Sequence, residues 1–170
     1  MVLGDLSLWK LLNDLIRDPD PDLVNPASID IRVGPEMLLE VGPEEFKTVD
    51  LTAEPVHLQP GEFALVPTLE WLMVPNGYAV ELKLKSSRAR QGYDPSMALW
   101  LDPGWCGTGT MGIRNATRYT PLPMEYGMRI AQVIVHQLDQ PAVRPNSGCD
   151  QGARTGGRAM VASAAHRSAR

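Results

Sequence analysis

A chain of 170 residues, 44% of them hydrophobic, suits one compact domain with a real core. Its formal charge of -4 points to neither a nucleic-acid partner nor an anionic membrane. No apolar run approaches the ~20 residues of a membrane span, no signal-peptide pattern opens the chain, and two cysteines, Cys106 and Cys149, make no disulfide framework; a reducing cytoplasm is expected.

The stretch "DLSLWKLLNDLIRD" places Leu6, Trp9, Leu12, Leu15 and Ile16 at helical spacing, with Asp5 or Ser7 as a possible N-cap, and "PDPD" (19–22) ends the helix. From Ala27 onward the pattern changes. "SIDIRV", "EMLLEV", "FKTVDL", "VHLQ", "FALVPTLEWLMV", "YAVELKLK", "TGTMGIRN" and "RIAQVIVHQL" are short runs separated by "GP", "QPGE", "PNG" or "DPG". Short strands without helical interludes predict a β-sandwich or barrel. After Val143 the chain becomes rich in Gly, Ala, Ser and Arg. Residues 146–170 therefore read as a flexible tail, or as a basic lid over an anionic ligand.

The densest polar cluster is "KLKSSRARQG" (83–92), in which Lys85, Ser86, Ser87, Arg88 and Arg90 follow a strand. Hydroxyls, backbone amides and cations on a turn make an anion cradle, although a basic turn is more often a solvated loop. Asp30, in "NPASIDIRVG", reads as an outward-facing acid that shares its strand face with Arg32. Asp102, in "WLDPGWCG", reads as a turn acid before Pro-Gly. His57, His136 and His166 have no ligand spacing, so no structural metal is expected. There is neither a P-loop nor a zinc-deaminase signature.

Taken in order, "NPASIDIRVG", "KSSRAR", "LDPGWCG" and "YGMRIAQVIV" resemble the dCTP deaminase and dUTPase superfamily, and the opening helix resembles its deaminase branch. The resemblance implies a mainly β fold, a distorted β-barrel or jelly roll of the dUTPase-like type with one N-terminal helix, over residues 1–145. It also implies a homotrimer with sites at subunit interfaces. By resemblance, Lys85, Ser86, Ser87 and Arg90 meet the phosphates or position water, and the backbone around Ala98 reads the pyrimidine edge. Trp100 stands where deaminases carry a basic residue. Asp102 matches the acid that activates water in the dUTPase branch. "GMRIAQ" (127–132) matches a structural turn and strand. Catalysis is thus expected from Asp102, Ser86 and Arg90. Magnesium would be held through the triphosphate rather than by protein ligands.

The departures are informative. In the deaminases the strand after the Asp-Pro-Gly turn carries a glutamate that moves protons while water replaces the ring amine; the matching position here is Gly112. Glu125, in the turn "PMEYGM", is a poor substitute, Arg88 replaces a usually apolar residue, and Arg158 stands where a lid would carry an aromatic. The leading expectation is therefore dUTPase-type hydrolysis of a pyrimidine deoxynucleoside triphosphate to monophosphate and pyrophosphate. The alternatives are deamination of dCTP or a modified pyrimidine nucleotide at an atypical site, and a catalytically inactive regulatory binder of nucleotide or protein.

Overall fold

Four leucines decide how the N-terminal helix sits. The computed structural model, which describes residues 1–96 and 99–147, has α1 at Asp5–Leu15 with Leu8, Leu11, Leu12 and Leu15 buried as one stripe. The stripe expected from the sequence is partly wrong. Leu6 and Trp9 fall on the other side of the helix and are 69% and 51% exposed, and Ile16 has already left the helix for a strand. Neither expected cap acts: Gly4 is the N-cap, and the Asp5 carboxylate accepts the Leu6 N–H at 2.8 Å. The "PDPD" segment does end the helix. It makes a 3-10 turn at Pro21–Leu23, where Asp20 accepts from the Asp22 N–H at 3.0 Å.

The strands are β1 (Ile16–Arg17), β2 (Val24–Asn25), β3 (Ser28–Arg32), β4 (Glu36–Gly42), β5 (Glu45–Asp50), β6 (Val56–Leu58), β7 (Phe63–Pro67), β8 (Trp71–Met73) and β9 (Tyr78–Leu84). A short helix, α2 (Ser86–Gln91), follows. Then come β10 (Tyr93–Pro95), β11 (Trp100–Leu101), β12 (Cys106–Gly107), β13 (Thr110–Asn115), β14 (Leu122–Met124) and β15 (Arg129–Gln137). The expected run from 63 to 74 is two strands. Pro67 closes the first, and the Thr68 hydroxyl donates to the Glu70 carbonyl at 2.8 Å across the break.

Every strand pair is antiparallel. One five-stranded sheet runs β10-β13-β7-β4-β5 and the other β11-β9-β15-β3-β2, with smaller sheets β1-β8-β12 and β14-β6. Alternation explains the layering: in β15, Val133 and Val135 point to the core while Gln132, Ile134 and His136 face outward. One apolar cluster takes Ile29, Val80 and Val133 from one large sheet and Met37, Val66, Met111 and Ile113 from the other, and α1 adds Leu8 and Leu15. The result is the mainly β jelly roll expected. Among the described residues no helix is long and apolar enough to cross a membrane.

Candidate functional site

The basic cluster is not a turn, as expected, but the helix α2. Lys85 is extended (φ -64°, ψ 136°) as its N-cap, and its carbonyl accepts the N–H groups of Arg88 and Ala89 at 2.9 and 3.0 Å. Gly92 ends the helix at φ +101°, where a Cβ would lie 2.3 Å from Thr117 Cγ2. The helix buries no residue; Ser86, Ser87 and Arg90 all face solvent. Its attachment is polar. The Lys85 N–H donates to the Ile130 carbonyl and Arg88 Nε to the Arg129 carbonyl, each at 3.0 Å. This accounts for arginine at position 88, which ties the cradle to β15.

Asp30 corrects a second expectation. It is 2% exposed, not a solvent-facing acid. Its carboxylate accepts from Asn25 Nδ2 at 2.9 Å and from Lys85 Nζ, with Arg129 Nη1 at 3.6 Å. Arg32 does not pair with it. Its guanidinium binds Glu70 at 2.7 Å and Asp20 at 3.3 Å. Lys85 is thus a cation already neutralised from below. The outward charge of the cradle comes from Arg90 and from Arg129, whose side chain is 50% exposed. Sequence reasoning missed Arg129 because it took "GMRIAQ" as structural only.

Asp102 follows β11 on a turn closed by the Trp105 N–H on the Asp102 carbonyl at 3.0 Å. Gly104 sits at φ +81°, and a Cβ there would lie 2.3 Å from the Asn146 carbonyl oxygen. The Asn146 N–H donates to the Pro103 carbonyl at 2.8 Å, so the chain beyond β15 crosses this turn. The exposed Asp102 carboxylate accepts from Trp100 Nε1 at 3.1 Å. The Trp100 ring lies 5.4 Å from that of His136, and His136 Nε2 lies 3.5 Å from Glu81 Oε2. A hydrogen bond from Lys83, with a smaller pull from the nearby His136, holds the Glu81 carboxyl below the usual carboxylate range. An open cavity of about 380 Å³ runs along this part of β9, with Trp100, Leu99, Leu84 and Pro95 as apolar walls beside Glu81 and Lys83.

Gly112 lies in the middle of β13, opposite Leu65. A Cβ there would be 3.1 Å from Phe63 Cε2, 3.2 Å from Phe63 Cζ and 3.1 Å from the Ser96 carbonyl oxygen. Phe63, packed edge-on against Phe46 at 6.5 Å, occupies the space a side chain would need. Glu125 is exposed in its turn, as expected.

One chain does not bring all these residues together. Leu101 pairs with Val80 near the start of β9, whereas Ser86 follows its end. The six steps from Val80 to Ser86, at about 3.3 Å each, separate the Asp102 turn from the cradle by roughly 20 Å. Ala98 and the tail from 148 on, Arg158 included, lie outside the described residues. Among the described residues no three His, Cys, Asp or Glu side chains are grouped to hold a metal ion, and Cys106 is a buried free thiol that accepts from Trp71 Nε1 at 3.3 Å.

The model of the dCTP deaminase-like family matches residues 2–138. The chain belongs to that family. It is 36% identical over 156 residues to the dCTP deaminase of Thermococcus gammatolerans, covering 91% of this chain and 93% of that one. It is 30% identical to the "dCTP deaminase, dUMP-forming" of Persephonella marina over 171 residues, with 91% and 93% covered. Among solved structures, the 2'-deoxycytidine 5'-triphosphate deaminase of Agrobacterium tumefaciens superposes with a TM-score of 0.68 at 23% identity, covering 79% of this chain and 47% of that one. That structure thus shares the fold described above.

Proposed function

We propose that this chain is an enzyme acting on a pyrimidine deoxynucleoside triphosphate, with deamination of dCTP as the leading reaction. The observation that carries this is the likeness to proteins named dCTP deaminase, which extends over about nine-tenths of both chains. That likeness displaces the sequence-based expectation that dUTP hydrolysis comes first. Hydrolysis to monophosphate and pyrophosphate stays as the second reading, because Phe63 fills the place where a carboxylate would rise from Gly112. A relative named as dUMP-forming points to a product short of pyrophosphate as well as of the amine, so both bonds need to be followed.

The chemistry converges on one group in either reading. Asp102 is the sole acid from Trp100 to Asn115 and its carboxylate is exposed. It serves as the proton acceptor for attacking water, at C4 of the base with loss of ammonia, or at phosphorus with loss of pyrophosphate. A base acts within hydrogen-bond reach, and the cradle on the same chain is too far away. The site is therefore shared, with Asp102 and Trp100 from one copy and Ser86, Ser87 and Arg90 from another, in a homotrimer. Lys85, paired with Asp30, shapes the cradle rather than meeting phosphate as a free charge. Magnesium enters on the triphosphate, and a soluble enzyme of this kind works in the cytoplasm.

The test is to incubate the protein with dCTP and with dUTP plus Mg²⁺ and follow ammonia and pyrophosphate separately. Ammonia from dCTP supports the leading reading, and pyrophosphate without ammonia supports the second. Tight binding without either product overturns both and leaves a regulatory binder. Light scattering that finds a stable monomer at micromolar concentration removes the shared site.

A further inference from the structure

We propose that Trp100 and His136 are a positioning pair that fixes the carboxylate of Asp102. The inference rests on the reading of Asp102 as proton acceptor. A carboxylate at an exposed turn is free to rotate about two bonds, and a base that must meet one proton gains from being held. Trp100 offers a single donor, its indole N–H, and that donor is placed at 3.1 Å on Asp102 Oδ1. The residue itself is exposed.

The indole needs support of its own. Trp100 is 51% exposed and sits on a strand of two residues. The His136 ring lies behind it at 5.4 Å with a 43° tilt. His136 is a firmer platform. Its backbone pairs with Ala79 of β9, and it also bridges to Val2. Its Nε2 is buried and has no hydrogen-bond partner among the described residues, although Glu81 Oε2 lies 3.5 Å away. The ring is therefore placed by its strand and by packing against the indole, with Glu81 beside it. Three strands contribute one row: Asp102 and Trp100 from β11 and its turn, Glu81 and Lys83 from β9, and His136 from β15. The N-terminal ammonium donates to the carbonyl of Gln137, next in the chain to His136, at 3.0 Å, and Lys83 bonds Glu81.

The experiment compares wild type with Trp100→Phe, His136→Ala and the double variant. The readouts are kcat and KM for whichever product the protein releases. Trp100→Phe keeps a ring but loses the donor; kcat is expected to fall about tenfold, the effect of one hydrogen bond to a charged group, with little change in KM. His136→Ala frees the indole and lowers kcat in the same way. The double variant falls no further than Trp100→Phe alone, since both changes act through one contact. His136→Phe, which restores a ring under the indole, recovers most of the loss.

Losses that multiply in the double variant overturn the proposal, as do single variants with the wild-type kcat. A readout independent of turnover is the Trp100 emission, taken as the difference between each protein and its Trp100→Phe counterpart. It shifts to the red in His136→Ala if the ring contact holds, and an unchanged spectrum refutes the contact. Wild-type turnover in Asp102→Asn would instead bring down the reading of Asp102 as proton acceptor, and the emission still decides the pair.

Discussion

Replacing Gly112 by alanine adds one methyl group to a place flanked on both sides. β13 lies between β10 and β7 in its sheet. The new Cβ would meet the Phe63 ring at 3.1 to 3.2 Å on the β7 side and the Ser96 carbonyl oxygen at 3.1 Å just beyond β10. A few tenths of an ångström must be found from each. The half-buried ring can give, whereas the backbone oxygen is tied to the strand, since the Ser96 N–H donates to the Gly112 carbonyl at 3.0 Å. Removing a glycine from a strand favours folding by about 0.5–1 kcal/mol, and overpacking costs about 1–3 kcal/mol. The expected net is a destabilisation of about 1 kcal/mol, or roughly 2–4 °C in Tm for a chain of this size. Gly112→Glu places a longer, charged side chain in the same gap and loses more. In a Phe63→Ala background both penalties should shrink by about 1 kcal/mol, because the crowding partner has gone. Thermal melts of the single and double variants measure this, and ammonia release from dCTP shows whether a carboxylate raised there assists deamination. A Gly112→Ala protein more stable than wild type, with no coupling to Phe63, would refute the crowding argument.

Three further expectations concern the scaffold. Asn115 is fully buried, its Nδ2 donates to the carbonyls of Leu58 and Thr120 at 2.8 and 2.9 Å, and its Oδ1 accepts the Thr117 N–H at 2.9 Å; Asn115→Leu should cost about 2–4 kcal/mol by removing this buried set of bonds, read by urea denaturation. Tyr93 donates to the Pro123 carbonyl, and burial raises its phenol above the ordinary value. The folded state therefore keeps a proton that the unfolded chain loses near pH 10, so this contribution is full below about pH 10 and fades above it; Tyr93→Phe should flatten that part of the Tm profile. Lys85→Met leaves the Asp30 carboxylate buried with one cation fewer and should cost about 2–4 kcal/mol, part of which Asp30→Asn recovers in the double variant.

What was legible in the sequence is what short-range pattern encodes. "SIDIRV" and "RIAQVIVHQL" alternate cleanly and became β3 and β15, and the Pro-Gly breaks fell between strands. Asp30 was misread because alternation gives a face but not what covers it. Its partners come from β2, from the end of β9 and from the start of β15, which only the sheet order brings together. The helix α2 was invisible because it is six residues long and buries nothing, so no apolar period marks it. Trp100 was noticed and His136 dismissed as scattered. Their contact depends on β9 pairing with both β11 and β15, so that Glu81 lies opposite Trp100 on one side and Ile134 on the other. The loss of a carboxylate at Gly112 was legible through resemblance, whereas Phe63 as the occupant of its space was not, since 49 positions separate them in the chain (112 minus 63).

The two ends of β9 yield the sharpest test of the shared site. If each site draws Asp102 from one copy and the cradle from a neighbour, the two groups can be inactivated on different chains. Asp102→Asn keeps an intact cradle, Arg90→Ala keeps an intact base, and each protein alone should be close to inactive. Unfolded together in equal amounts and refolded, subunits combine at random. A site then receives a good base in half of cases and a good cradle in half, independently, so about a quarter of sites regain both. Product release should return to about a quarter of the wild-type rate per site. A site complete within one chain predicts none, because every chain in the mixture carries one lesion. The same mixture refolded at very low protein concentration, where monomers dominate, controls for chance recovery. A return of activity there, or its absence in the assembled mixture while homogeneous wild type refolds to full rate, would show that the roughly 20 Å along β9 is bridged by something other than a second copy.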